Sequence, residues 1–181
     1  MSRTWLAGDW YISFSGAELS AENPDPASIR LEDISHHLSM ICRFGGACPV
    51  FYSVASHSMY VADLLPDELK VEGLLHDATE AYVGDMVKCI KRQCPDYQRL
   101  EHIWELAIRD RFGLPTRPSA EVKAEIKRAD IAALLAERRD VFGDRRAYDE
   151  ISPPGEPRCK PLGPAQGCLE FKLYALQLGL S

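Results

Sequence analysis

Four side chains carry the chemistry open to this sequence: His57 in Ala-Ser-His-Ser, the adjacent pair His76-Asp77 in Leu-Leu-His-Asp-Ala-Thr-Glu, and Asp130 in Lys-Arg-Ala-Asp. Two imidazoles and two carboxylates can close around one divalent ion and suit a borderline transition metal. Four protein ligands leave water positions open if the ion is octahedral, and an open water position means hydrolysis. Glu80 follows Asp77 by three residues and can place that water or exchange protons with it.

These residues need a helical frame. Apolar residues recur at helical spacing around His57, at Val54, Val61 and Leu65, which carries the imidazole inward. The stretch 66–83 has no internal proline and reads as one helix, placing His76, Asp77 and Glu80 on a common side. The wide separations between His57, His76-Asp77 and Asp130 put the ligands on three different helices, unlike a short-range finger motif. Further helices are expected near 31–40, 53–65, 67–83, 96–112 and 120–141, with Asp33, Ser53, Asp67, Asp96 and Ser119 as starts. No strand pattern of comparable length is present. Residues 1–30 read as an irregular arm whose Trp5, Trp10, Tyr11 and Phe14 pack over the body or form a partner surface. Five prolines between Pro153 and Pro164 predict an extended loop, and a closing helix follows from Gln166 to Leu178.

The residues around the pair carry a family resemblance. The run His76-Asp77-Ala78-Thr79-Glu80-Ala81-Tyr82-Val83-Gly84-Asp85 resembles the His-Asp-x-x-Glu-x-x-x-Gly-Asp stretch of bacterial 5′-deoxynucleotidases, which are HD-domain metal-dependent phosphohydrolases. Phe14-Ser15-Gly16, Ile41-Cys42-Arg43-Phe44-Gly45-Gly46 and Phe51 to Ser58 are similar to small phage-encoded members of that superfamily, among them the dATP triphosphohydrolases. The resemblance covers roughly 14–140. It implies an all-α HD-domain bundle with His57, His76, Asp77 and Asp130 as metal ligands, Glu80 in the reaction, and Asp85 as a further acid near the leaving group or a second ion. It also implies one divalent transition metal (cobalt, manganese, zinc, iron or nickel), magnesium on the substrate phosphates, and a homo-oligomer, dimer or hexamer.

Basic residues stand where phosphates would need them. Lys88 and Lys91 follow the Gly84-Asp85 turn, and Lys123 and Lys127 share a helical face with Asp130. Lys91 and Lys127 are the candidates for holding a polyphosphate; a solvated lysine face is the competing reading, above all for Lys88 and Lys123. Arg43-Phe44-Gly45-Gly46 combines a planar cation, an aromatic face and two residues that let backbone approach a ligand. The deoxynucleotidases carry Arg-Trp at the similar position, with the ring on the sugar. Phe44 keeps deoxyribose selection plausible, whereas a core Phe in a tight turn is the alternative. His36, His37 and His102 are left outside the site.

Composition frames these readings. The 181 residues fit one domain spanning 1–181, and 46% hydrophobic with 27% charged residues is ordinary for a globular protein. No apolar run approaches a membrane span, and the first ten residues lack the pattern of a secretory signal, so a cytoplasmic protein is expected, in the host cytoplasm if phage-encoded. The six cysteines form no Cys-x-x-Cys pair and read as reduced thiols. A net charge of −6 argues against broad nucleic-acid binding, while a small anion needs only a local basic pocket. The activity that the resemblance implies is removal of phosphates from a deoxynucleotide, first as a dATP (dNTP) triphosphohydrolase releasing deoxynucleoside. The alternatives are a 5′-deoxynucleotidase acting on monophosphates and a nucleotide-binding metalloprotein without turnover.

Overall fold

A computed structural model describes residues 10–143 and 159–181. The described part of the chain is helical apart from one short hairpin, β1 (Trp10–Ile12) paired antiparallel with β2 (Glu18–Ser20). Its helices are α1 (Leu31–Met40), α2 (Val54–Asp63), α3 (Lys70–Leu74), α4 (Glu80–Val83), α5 (Lys88–Lys91), α6 (Pro95–Arg111), α7 (Ala120–Asp140) and α8 (Pro164–Gln177). The expectation of an all-α body holds. Among the described residues no helix is long and apolar enough to cross a membrane. Trp5 and the prolines at 153, 154 and 157 lie outside the described residues.

Helix α2 is the centre of the body, packed against α1, α3, α7 and α8. Val54, Ala55, Val61 and Ala62 are fully buried along it, and Ser53 caps its start by accepting a hydrogen bond from the Ser56 amide. Helix α7 approaches through Ala129, Ala133 and Ala136, whose small side chains recur at helical spacing and let the two backbones come close. Ser119 caps α7 as its sequence position suggests. Helix α8 lies along α1 and α2, with Phe171 and Ala175 buried against them.

The structure differs from the sequence expectation in four places. The stretch 67–83 is broken: α3 ends at Leu74, and α4 begins only at Glu80. Between them the amides of Ala78 and Glu80 bond three residues back, to Leu75 and Asp77 carbonyls, forming a tight 3-10-like turn. Side chains three apart eclipse in such a turn, so Asp77 and Glu80 still share a side. Asp33 is no helix start, since α1 begins after Arg30 and Asp33 sits buried inside it; likewise α6 starts at Pro95 after Cys94 rather than at Asp96. The arm is ordered as a hairpin, because Ser15 donates to Asp33 through its amide (2.6 Å) and hydroxyl (2.9 Å) and thereby anchors the tip to α1.

The hairpin also secures α4. Tyr11 donates its hydroxyl hydrogen to the Tyr82 carbonyl, Tyr82 stacks on Trp104 at 4.3 Å between ring centroids, and His37 Nδ1 is 2.7 Å from the Ala81 carbonyl. Gly73 secures the other side of the turn. A Cβ there would overlap Leu65 Cδ1 and stand 3.2 Å from Ala62 Cα, so a side chain at this position would have to displace Leu65 and ease α3 away from α2. Gly73→Ala is expected to lower stability by about 1–3 kcal/mol, the usual range for overpacking. Urea denaturation checks this, and an unchanged midpoint would mean that α3 can withdraw from α2 without cost.

Candidate metal centre and cleft

The central imidazole is His57, four residues into α2 and fully buried. Its Nδ1 is 2.6 Å from Glu137 Oε1. Its Nε2 lies 3.4 Å from Asp77 Oδ2 and 3.4 Å from Asp130 Oδ1, yet has no hydrogen-bond partner. His76 Nδ1 is 2.7 Å from the Gly73 carbonyl, which can only accept, so Nδ1 carries the proton and Nε2 keeps a lone pair. That Nε2 is also buried and lacks a hydrogen bond, although Asp77 Oδ2 is 3.1 Å away. The ligand atoms of His57, His76 and Asp130 all fall within 4.8 Å of one another.

Such a group can hold a metal ion. Two buried nitrogens without partners facing two carboxylates are costly unless a cation sits between them. Asp77 is not part of the mutually close set but touches both imidazoles through Oδ2. The electrostatics of the cluster favour positive charge at its centre. Burial and Arg43 lower the affinity of His57 for a proton, but Glu137, Asp130 and Asp77 outweigh them and push its pKa up to about 10. Burial works against the charged forms of Asp77 and Asp130 too, and the facing histidines hold both well below the usual carboxylate value.

A cleft of about 760 Å³ opens beside this cluster. Eight of the ten residues singled out in the sequence line it: Arg43, Phe44, Asp77, Glu80, Asp85, Lys91, Lys127 and Asp130. His57 and His76 are the other two and are not among its lining residues. Glu80 is 9% exposed, with Oε2 buried and unpartnered. Burial first, then Asp77 and Asp85, raise its pKa to about 9. Burial likewise raises Asp85, with Asp77 adding to it against Arg43.

The cations are less free than the sequence suggests. Arg43 donates to Glu137 Oε2 at 3.0 Å and comes within 3.8 Å of Asp77. Lys127 donates to Asp130 Oδ2 at 2.6 Å, and Lys91 pairs with Glu101 while lying 5.6 Å from the Tyr97 ring centre. Phe44 is the one non-glycine residue with positive φ among those described, at 59°, and its ring meets Phe142 edge-on at 4.9 Å. Backbone strain of this kind clusters at functional sites.

Glu137 is the site residue that sequence reasoning missed. Its signal was available: it falls on the buried alanine face of α7, two turns after Asp130, where a charge needs a buried partner.

Fold and site together define an all-α protein with a His-His-Asp group able to hold a metal ion. No model of a known protein family matches the chain. It is 42% identical over 136 residues to the uncharacterized protein YfdR of Escherichia coli K12, covering 75% of this chain and 74% of that one. It is 33% identical over 144 residues to the uncharacterized protein RCAP_rcc00048 of Rhodobacter capsulatus, covering 74% of each. The chain belongs to the family of these proteins.

Metal uptake is expected to release protons. The folded, metal-free chain keeps protons on His57 and Glu80 that the unfolded chain gives up, since both values are raised, to about 10 and about 9. These two groups therefore make the metal-free protein less stable as pH climbs from about 5 to about 10. A cation at the cluster displaces the His57 proton, so binding of Zn²⁺ at pH 8 releases about one proton or more. Calorimetry in buffers of different ionisation enthalpy counts them, and zero release would contradict the assignment.

Proposed function

We propose that the protein is a metal-dependent phosphohydrolase of the HD-domain type acting on deoxynucleotides, foremost dATP, with release of deoxynucleoside. One observation carries this reading: acids, cations and an aromatic ring line a single cleft whose wall includes two carboxylates of the metal cluster. His57, His76 and Asp130, with Asp77 beside them, would hold a divalent ion, which would supply Lewis acidity to water and to a phosphoryl oxygen. Cobalt, manganese, zinc, iron and nickel suit the donor set, and magnesium suits the substrate phosphates.

The residues of the chain do the rest. Glu80, on the cleft wall beside Asp77 and Asp85, is placed to position the water or to exchange a proton with the reacting oxygens. Asp85, on the same wall, serves as a further acid beside the leaving group or a second ion. Lys91 and Lys127 meet the outer phosphates by exchanging their carboxylate partners for phosphate oxygens. Phe44 offers its ring to the sugar or base, held in place by Phe142.

A monophosphate substrate has an observation of its own in favour. Lys91, Lys127 and Arg43 are all engaged by carboxylates, which leaves less positive charge for a polyphosphate. Product chromatography with cobalt or manganese plus magnesium, offering the deoxynucleoside triphosphates, dAMP and ATP, separates the readings. Loss of dATP to deoxyadenosine supports the triphosphohydrolase, turnover of dAMP alone supports the nucleotidase, and binding without turnover contradicts both.

Two substitutions sharpen the test. Glu80→Gln is expected to lower kcat by about 10²–10⁴-fold, the usual worth of a general acid or base, with metal content retained. Lys91→Glu is expected to damage dATP turnover far more than dAMP turnover, and equal small effects would count against a grip on polyphosphate.

A further inference from the structure

We infer that Glu137 is a positioning residue that ties the metal centre to the cleft, fixing His57 with one carboxylate oxygen and Arg43 with the other. The carboxylate is fully buried on the face of α7 that packs on α2. A buried carboxylate must have its oxygens satisfied, and here Oε1 is 2.6 Å from His57 Nδ1 and Oε2 is 3.0 Å from Arg43 Nη2.

Each contact has a consequence for the site. An ionised carboxylate only accepts, so His57 Nδ1 donates, and Nε2 is left as the ligand nitrogen. That is the atom standing 3.4 Å from both Asp77 and Asp130 without a hydrogen bond. A metal-ligating histidine whose other nitrogen is held by a carboxylate binds its ion more tightly and in one orientation. On the other side, Glu137 keeps the guanidinium of Arg43 turned toward α7. Its Nη1 is already 3.8 Å from Asp77 Oδ2, and without Glu137 the cation would close on that oxygen and compete with the metal.

The helix geometry explains how one residue does both. Asp130 and Glu137 lie seven residues apart, about 10 Å along α7, and helical side chains lean toward the N-terminus. The longer Glu137 therefore reaches back to the far nitrogen of the ring that Asp130 approaches from the other side.

The test uses Glu137→Gln, Arg43→Met and the double variant, and only its kinetic arm rests on the phosphohydrolase reading. Co²⁺ affinity is measured by competition with a chromophoric chelator, together with the visible spectrum of the Co²⁺ form. Glu137→Gln is expected to weaken Co²⁺ binding about 10–100-fold and to change the ligand-field bands. Arg43→Met, which removes a cation 3.8 Å from Asp77, is expected to keep the Co²⁺ ligand-field bands and to bind Co²⁺ no more weakly than the wild type, while raising KM for dATP. The double variant removes the buried pair as a unit and stands in for Glu137→Gln if the latter fails to fold; it too should bind Co²⁺ weakly. In the Zn²⁺-loaded wild type, histidine ¹⁵N–¹H spectra should show the His57 proton on Nδ1. Wild-type Co²⁺ affinity and spectrum in a folded variant lacking Glu137, or a proton on Nε2, would overturn the inference. Absence of turnover by the wild type with these metal results intact would instead overturn the phosphohydrolase reading and leave the role of Glu137 at the metal standing.

Discussion

Everything at the site depends on one buried ring. His57 has no exposed surface, so both of its nitrogens must be satisfied from within the protein or by a bound ion. Glu137 takes one side, and the other faces Asp77, Asp130 and the similarly bare Nε2 of His76. Closing such a cluster requires α2, α7 and the turn after α3 to meet within a few ångströms. The alanine face of α7 and the absence of a side chain at Gly73 are the means by which they meet.

The turn between α3 and α4 shows how the fold serves the chemistry. A continuous helix would carry His76 past the cluster at a fixed pitch. Breaking it lets Gly73 present its carbonyl to His76 Nδ1 and aims Asp77 and Glu80 at the cleft. Short helical pieces have little stability of their own. This one is held from outside by Tyr11, His37 and the Tyr82–Trp104 stack, which makes the aromatic hairpin part of the support for Glu80.

Much of this was legible in the sequence, for local reasons. Ser53 and Ser119 announce their helices because a hydroxyl cap acts within one turn, and α1, α2, α6 and α7 fall close to their periodic patterns. The metal-ligand types and the acids after them stand out by chemistry, and most of those residues line one cleft. What was hidden is tertiary. The break after Leu74 follows from packing on α2, not from any proline or helix-breaking run. The strands of the hairpin are three residues each and owe their order to Asp33 and His37 on another element. The partners of Arg43 and Lys127 could not be assigned from spacing alone, and the alanine face of α7 marks Glu137 as inward without naming what it meets there.

The central claim is that His57, His76 and Asp130, with Asp77 beside them, hold a single divalent ion. Diffraction from crystals grown with Co²⁺, collected on both sides of the cobalt absorption edge, tests it most directly. The account predicts one anomalous peak between the two histidines, about 2.0–2.2 Å from each Nε2 and within bonding distance of Asp130. Cobalt bound elsewhere, with His57 Nε2 and His76 Nε2 hydrogen-bonded to protein or water instead, would contradict it.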